Sequence, residues 1–292
     1  MEINKNLPRF ARQNLFSRFA PLNGALLEIE IYSIIILMAE IIAICNQKGG
    51  VGKTTTTISL GSYLAAFGRK TLIVDFDPQA NATSGLGLDY TKLTRNIYHN
   101  LVFGFALEET ILQTPLFGLD ILPASPELIG AQVELNSFDD KEFRLKQLLN
   151  YIKSQYRYIL IDLPPSLGLL TVNGLVAADY VLIPIQTEFF ALDGLSQLIN
   201  TIDLIRRNLD KDLKILGAVL TLYDRRNRLD RSVAKNILRH FPGYVFNVII
   251  PRNISLAEAP SFGQSILQYN PHSEGARAYR QLAEEMIKRL ET

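Results

Sequence analysis

Two patterns of apolar positions alternate along the chain. Continuous apolar runs, typical of strands that are covered on both faces of a parallel sheet, occur at 41–46, 71–77, 119–124, 158–162, 180–185, 215–223 and 244–250. Apolar residues at helical spacing predict helices over 54–67, 142–156, 193–209 and 273–290. The alternation predicts an α/β fold, in which a doubly wound, mostly parallel sheet is flanked by helices.

The first 37 residues follow neither pattern. Residues 5–18 carry four basic and no acidic side chains, and residues 31–39 are apolar but too few for the ~20 residues of a spanning helix. The strand-like run at 41–46 begins just after Met38. We therefore expect residues 1–37 to be an N-terminal extension, disordered or a start-site artefact, and one domain to occupy residues 38–292. An added strand and a membrane role are the alternatives.

Composition narrows the class of protein. Of 292 residues, 48% are hydrophobic and 20% are charged, which favours a large buried core. Thirty basic and 29 acidic side chains nearly cancel, so any attraction to nucleic acid must come from a local cluster. One cysteine, Cys45, and three scattered histidines give no disulfide framework and no metal-ligand spacing. We therefore expect the protein to work in the reducing cytoplasm. We expect Cys45 to be a small buried residue.

A glycine-rich loop follows the first predicted strand and opens the first predicted helix. The sequence from Lys48 to Thr54 is KGGVGKT, with Gln47 where the common phosphate-loop pattern has glycine. Backbone N–H groups in such a loop and the helix N-terminus converge on polyphosphate, so ATP is the expected ligand. Lys53 would reach the β- and γ-phosphates, and the Thr54 hydroxyl would bind Mg²⁺. The nucleotide-contacting set is Lys48, Gly49, Gly50, Val51, Gly52, Lys53, Thr54 and Thr55.

Lys48 is a second lysine at the start of this loop. Pointing at its own nucleotide would duplicate the role of Lys53. A cation is useful where charge develops during phosphoryl transfer, and it can be supplied across a subunit interface. We therefore expect Lys48 to reach the nucleotide of a facing protomer; a solvated lysine is the alternative.

Three aspartates end predicted strands, at the carboxyl edge where ligands bind in open α/β sheets. Asp77 is the candidate for orienting the attacking water. Asp162 would approach Mg²⁺ through water. Asp75 either belongs to the Mg²⁺ shell or caps the loop.

These motifs resemble the ParA/Soj family of chromosome- and plasmid-partitioning ATPases, which carry a deviant Walker A phosphate loop. The resemblance covers residues 41–290 and rests on NQKGGVGKTTT, VDFDPQANATSGLG, IDLPPSLGLLTVNGL, PIQTEFFALDGL and IPRNISLAEAPSFG. It implies an ATP-sandwich homodimer in which Lys48 acts across the interface and Asp77 positions water. It also implies that Asp162 belongs to a switch region and that Pro251, Arg252 and Asn253 border the adenine.

The resemblance further implies nonspecific DNA binding by the ATP dimer and a ParB-like centromere-binding partner that stimulates slow hydrolysis. The segment 223–240 contains six Lys/Arg and two acids, as phosphate contacts require. The predicted DNA contacts are Arg225, Arg226, Arg228, Arg231 and Lys235, with Arg206 and Arg207 compensating for Asp203, which stands where a basic residue is expected. A solvated arginine-rich face is the alternative. The expected location is the nucleoid in the cytoplasm.

Three other classes of protein are alternatives to this family. A MinD-like membrane-positioning ATPase needs a basic amphipathic tail, but 274–292 is spaced for docking on a core and diluted by glutamates. No stable membrane insertion is therefore expected. An iron–sulfur carrier needs paired cysteines. A module that binds nucleotide without hydrolysing it stays open, although Lys48, Lys53, Thr54, Asp77 and Asp162 favour an ATPase.

Overall fold

The computed structural model describes residues 38–188, 193–209 and 211–291; the predicted extension at 1–37 lies outside them. Strands are present at β1 (Glu40–Ile44), β2 (Thr71–Asp75), β3 (Leu112–Gln113), β4 (Leu119–Leu122), β5 (Tyr158–Asp162), β6 (Tyr180–Gln186), β7 (Lys214–Tyr223) and β8 (Val245–Pro251). They form one sheet in the order β3-β4-β2-β5-β1-β6-β7-β8. All the pairings are parallel except the one between β3 and β4.

Helices alternate with the strands along the described residues. Their bounds are α1 (Lys53–Ala66), α2 (Asn81–Gly85), α3 (Ile97–Phe103), α4 (Leu128–Glu134), α5 (Arg144–Ile152), α6 (Leu169–Ala177), α7 (Asp193–Asn208), α8 (Arg228–His240), α9 (Ile254–Glu258), α10 (Ile266–Tyr269) and α11 (Glu274–Leu290). The doubly wound, mostly parallel α/β fold is therefore confirmed.

β1 lies between β5 and β6, so the strand order reverses beside it. In an open α/β sheet the crevice at such a reversal is where ligands bind. Residues Ile42 and Ile44 of β1 are wholly buried, because helices cover both faces of the sheet. The central strand thus carries the glycine loop to the middle of the carboxyl edge.

The C-terminal helix packs on the core as its spacing predicts. Tyr279, Leu282 and Met286 of α11 are buried, and the helix contacts α1 and β8. Its apolar face is thereby used inside the fold. Within the described ranges, no helix has the length and apolarity needed to cross a bilayer.

Element ends differ from the sequence prediction by a few residues. Gly68 has φ +77°, which confirms the left-handed stop after α1. The helix predicted over 142–156 is shorter, and its buried face consists of Leu145, Leu149 and Ile152. The antiparallel edge strand β3 was not predicted, because two residues are too few to establish a period.

Candidate functional site

The loop between β1 and α1 forms an open cradle at the carboxyl edge. Gly50 and Gly52 have φ of +74° and +87°, conformations that residues with a Cβ rarely adopt. A Cβ on Gly49, Gly50 or Gly52 would meet no atom within 4 Å, so the glycines face open space. Helix α1 begins directly after Gly52, and its N-terminal N–H groups open toward the same space. The arrangement fits a polyphosphate.

Lys53 lies folded into this loop. Its Nζ donates to the carbonyl oxygen of Lys48 at 3.2 Å, and 7% of the residue is exposed. Burial lowers the pKa of the ammonium below its usual value, and the carboxylates of Asp162 and Asp77 act against that shift. An anion brought into the loop would supply the counter-charge that this buried cation needs.

Asp162 links the end of β5 to the first turns of α1. Its two carboxylate oxygens accept hydrogen bonds from the hydroxyls of Thr54, at 2.7 Å, and Thr57, at 3.1 Å. Complete burial, with Asp75 nearby, raises the pKa of Asp162 to about 7. A hydroxyl and a carboxylate, completed by water, are ligands that suit Mg²⁺. The residues present therefore fit the cation, which Thr54 and, through water, Asp162 would hold.

Asp75 and Asp77 face different surroundings. The buried Asp75 carboxylate accepts hydrogen bonds from the backbone N–H and the hydroxyl of Thr83, at 2.8 and 2.7 Å. Burial raises the pKa of Asp75 to about 6. Of the two roles left open for Asp75, loop capping is the one favoured by these contacts. Asp77 instead lines the cleft beside the glycine loop, and its Oδ1 accepts from the Gln79 N–H at 3.0 Å.

Cys45, the first residue after β1, is 1% exposed, and burial raises the pKa of its thiol to about 12. It is a structural residue, as predicted.

The cleft at the loop has a volume of about 380 Å³. Besides the loop, it is lined by Thr221 and Leu222 from β7, Ile250 from β8 and Tyr279 from α11, none of which was predicted. Thr221 and Ile250 lie near the carboxyl ends of β7 and β8, so the strand-end rule that located Asp77 also pointed to them. Leu222 has φ +54°, a strained conformation for a side chain of this size.

Only part of the predicted adenine border lines this cleft. Pro251 and Asn253 do, whereas Arg252 lines a neighbouring groove of about 480 Å³ with Arg225 and Arg226. The role of Arg252 at the adenine stays a prediction. The backbone there is extended, so successive side chains point to opposite sides.

Lys48 is absent from the residues that line the cleft. Its backbone N–H donates to Asn46 Oδ1 at 3.0 Å, and its ammonium forms an ion pair with Glu188, the second residue after β6. The side chains of Lys48 and Glu188 are 36% and 48% exposed. Within the described chain, therefore, the two lysines of the loop point to different places.

The predicted DNA contacts on α8 and the turn before it lie together. These predicted contacts, Arg225, Arg226, Arg228, Arg231 and Lys235, are all exposed, and so is Arg239 near the end of α8; we call the six residues the basic surface. The two acidic residues of this segment, Asp224 and Asp230, differ in how they affect the positive charge of the basic surface. Asp230 is buried and accepts from the Asp224 N–H and the Thr187 hydroxyl, while Asp224 pairs with Arg226 at 2.9 Å. That pairing lowers the pKa of Asp224 to about 2.

The two arginines on α7 differ in their exposure to solvent. The guanidinium of Arg206 donates to the Leu213 carbonyl at 2.7 Å and to Asp203 at 2.9 Å. Arg207 is exposed. Because Arg206 is engaged by Asp203 itself, the expected compensation for Asp203 is left to Arg207.

Comparison with known proteins extends these observations. The family model described as "AAA domain" matches residues 39–215. The chain is 49% identical over 252 residues to the chromosome partitioning protein ParA of Myxococcus xanthus, covering 86% of this chain and 89% of that one. It is 48% identical to the sporulation initiation inhibitor protein Soj of Bacillus subtilis, covering 85% and 98%.

A solved structure with the same architecture is that of cobyrinic acid a,c-diamide synthase from Mycobacterium smegmatis, with a bound ATP analogue and magnesium. It superposes with a TM-score of 0.78 at 35% identity, covering 87% of this chain and 96% of the other.

Proposed function

The chain belongs to the ParA/Soj family of partitioning ATPases, and from that premise we propose that it is an ATP-dependent DNA-partitioning protein. Two ATP-bound protomers face each other, and the dimer binds DNA without sequence preference. Hydrolysis of ATP to ADP and phosphate separates the protomers and releases the DNA. The cycle serves the segregation of a chromosome or a plasmid.

The observation that carries the proposal is the different placement of the two loop lysines. Lys53 is folded into the cradle, whereas Lys48 lies outside the cleft lining with its ammonium on Glu188. Because Lys53 already supplies a cation to the nucleotide of its own protomer, Lys48 is available to contact the nucleotide of a facing protomer. An exposed surface ion pair is weak enough to be exchanged for a phosphate contact.

Within one protomer, each residue has a defined task. The N–H groups of Gly49, Gly50, Val51, Gly52, Thr54 and Thr55 cradle the phosphates, and Lys53 neutralises them. Thr54 and Asp162 hold Mg²⁺, which when bound spreads the charge of the phosphate oxygens. Asp77, which lines the cleft beside the glycine loop, orients the attacking water. Pro251 and Asn253 border the base.

DNA binding is assigned to the basic surface. The hydrogen bonds of Asp224 and Asp230 within the chain support this assignment, because most of the arginines there then have no acidic partner among the residues that the structure describes. Arg225, Arg226, Arg228, Arg231 and Lys235 contact phosphates, and Arg207 extends the surface. Such contacts are electrostatic and independent of sequence.

Turnover is slow without a partner. Asp77 is a weak base, and phosphoryl transfer depends on positioning and charge stabilisation, so a second protein can accelerate it by completing the site. The family implies a ParB-like centromere-binding protein in that role and a location on the nucleoid in the cytoplasm.

The test measures assembly and hydrolysis together. Wild type, Lys48→Ala and Asp77→Ala are sized with ATP, with ADP and without nucleotide, and phosphate release is measured in parallel. We expect an ATP-dependent dimer that accumulates in Asp77→Ala, and loss of hydrolysis in Lys48→Ala. Lys92→Ala, which removes an exposed lysine that pairs with Asp89, is the matched control.

The proposal fails if the wild type stays monomeric with ATP, or if Lys48→Ala hydrolyses ATP as the control does. Absence of phosphate release with and without DNA would instead favour a module that holds nucleotide without hydrolysing it.

A further inference from the structure

A second surface, remote in sequence from the glycine loop, carries exposed apolar side chains. Phe103 is 61% exposed and Phe105 38%, at the end of α3 and just after it; Ile129 is 55% and Val133 75% exposed on α4. Single exposed apolar residues are ordinary, but a contiguous group marks an interaction site. We call these four residues the α3–α4 surface.

Tyr98 joins the two helices into one surface. Its ring packs edge-on against Phe103, with centroids 5.7 Å apart, and Phe103 in turn contacts Phe105 at 6.4 Å. The Tyr98 hydroxyl donates to Glu134 on α4 at 3.0 Å. A Cβ built on Gly130 would lie 3.7 Å from the Tyr98 ring, an ordinary van der Waals distance, so the ring lies against α4.

Helix α4 is apolar on two sides. Leu128, Ala131 and Leu135 face the core and are fully buried. Ile129 and Val133, one turn apart, lie on the outer side, where a surface helix normally carries polar residues. The core therefore does not account for Ile129 and Val133.

Acidic side chains occupy the same two segments as the apolar side chains. Glu127 accepts from Asn96 Nδ2 at 2.8 Å, which holds the pKa of that carboxyl below its usual value, and Glu134 accepts from Tyr98. Glu108 follows Phe105 closely and is exposed. Arg95 stacks on Phe105 and pairs with Glu109. Among the described residues, no lysine or arginine forms an ion pair with Glu108, Glu127 or Glu134.

This charge pattern indicates which class of molecule the α3–α4 surface can bind. Acidic groups repel the phosphates of nucleic acid and of anionic lipid. A second copy docked symmetrically on the same surface would place these carboxylates against each other. A basic amphipathic protein segment complements both the exposed apolar side chains and the neighbouring carboxylates.

We propose that the α3–α4 surface docks an amphipathic helix of a partner protein, whose apolar face is flanked by lysines or arginines. Glu127 and Glu134 are about 10 Å apart along a helical backbone, which matches basic residues two turns apart on a facing helix. The inference goes beyond the proposed function, because none of these residues belongs to the cleft or to the basic surface.

The test uses the full-length protein and two labelled synthetic helices of leucine, alanine and one charged residue type. In one helix, lysines flank the leucine face; in the other, glutamates replace every lysine. Fluorescence anisotropy measures the binding of each helix to wild type, to Phe103→Ser with Val133→Ser, and to Glu127→Gln with Glu134→Gln. Phe117→Ser, which alters a 96% exposed phenylalanine elsewhere, is the matched control.

We expect the lysine helix to bind wild type and the control equally and to bind either double variant about tenfold more weakly. The glutamate helix should bind weakly to all of them. Basal ATP hydrolysis should match wild type in every variant, which verifies folding.

Equal binding of the lysine helix to all the variants would overturn the proposal, and so would equal binding of the two helices to wild type. A nucleotide-free wild-type dimer that Phe103→Ser with Val133→Ser abolishes would overturn it as well, because a second copy would then cover the surface.

Discussion

The phosphate cleft and the basic surface both gather charged side chains, but they hold them differently. In the cleft, Lys53 and Asp162 are buried and hydrogen-bonded within the chain. On the basic surface, Arg225 and Arg228 extend into solvent. Buried charges act at short range with fixed geometry, whereas exposed charges act at long range and are screened by salt. The first arrangement suits chemistry on one ligand, and the second suits an extended polyanion.

The largest expected effect tests the fixed geometry of the cleft. Lys53→Ala removes the buried cation, and hydrolysis should fall by roughly 10²–10³-fold, as when one preorganised charge donor is lost. Phosphate release and binding of a fluorescent ATP analogue measure it. Lys92→Ala, at an 81% exposed lysine, should hydrolyse as wild type does. If Lys53→Ala retained most of its ATP hydrolysis, the fixed position of the buried cation would not matter for the reaction. The difference drawn between the cleft and the basic surface would then be wrong.

The next effect tests the long-range character of the basic surface. Arg225→Ala with Arg228→Ala should weaken binding to nonspecific DNA by roughly tenfold per lost contact near 0.1 M salt, and should lower the log–log salt slope by about 0.9 for each. Titrations at several salt concentrations with ATP present measure both quantities. Arg280→Ala on α11, where the arginine pairs with Glu284, is the control. An unchanged slope would show that α8 is only a solvated face.

Side chains of the cleft and of the basic surface should also differ in how much they contribute to the free energy of unfolding. Thr57→Val removes a buried hydrogen bond to Asp162, so the free energy of unfolding should fall by about 1–3 kcal/mol. Arg228→Ala should change it by less than about 0.5 kcal/mol, because its side chain is exposed. Urea denaturation of the nucleotide-free proteins measures both. Equal losses would mean that burial does not distinguish the two sets of charges.

The smallest effect concerns Lys48, which belongs to neither region. Glu188→Gln removes its ion-pair partner, and an exposed pair is worth about 0–1 kcal/mol. Since a symmetric dimer breaks two such pairs, the ATP dimer should tighten by up to about 2 kcal/mol, or roughly thirtyfold in the dissociation constant. Sedimentation velocity with ATP over a range of protein concentrations measures it. A weaker dimer would show that Glu188 orients Lys48 for the facing protomer instead of competing for it.

Local motifs made much of the cleft predictable. The loop from Lys48 to Thr54 is contiguous, and Asp77 and Asp162 each end an apolar run, so strand-end logic located them. Thr221, Ile250 and Tyr279 come from segments far apart in sequence. Nothing local distinguishes a tyrosine that faces a ligand from one that packs in a core. The place of Arg252 also depended on the side to which an extended backbone turns it.

The sequence by itself determined the α/β class, the glycine loop and the clustering of arginines in 223–240, because each depends on neighbouring residues and on the preferred geometry of the backbone. The tertiary structure decided which charges are available. It buried Asp230, and it placed Lys48 outside the cleft on Glu188, 140 residues away in sequence. Long-range packing alone sets those distances, and electrostatic and hydrogen-bond energies depend on distance and burial.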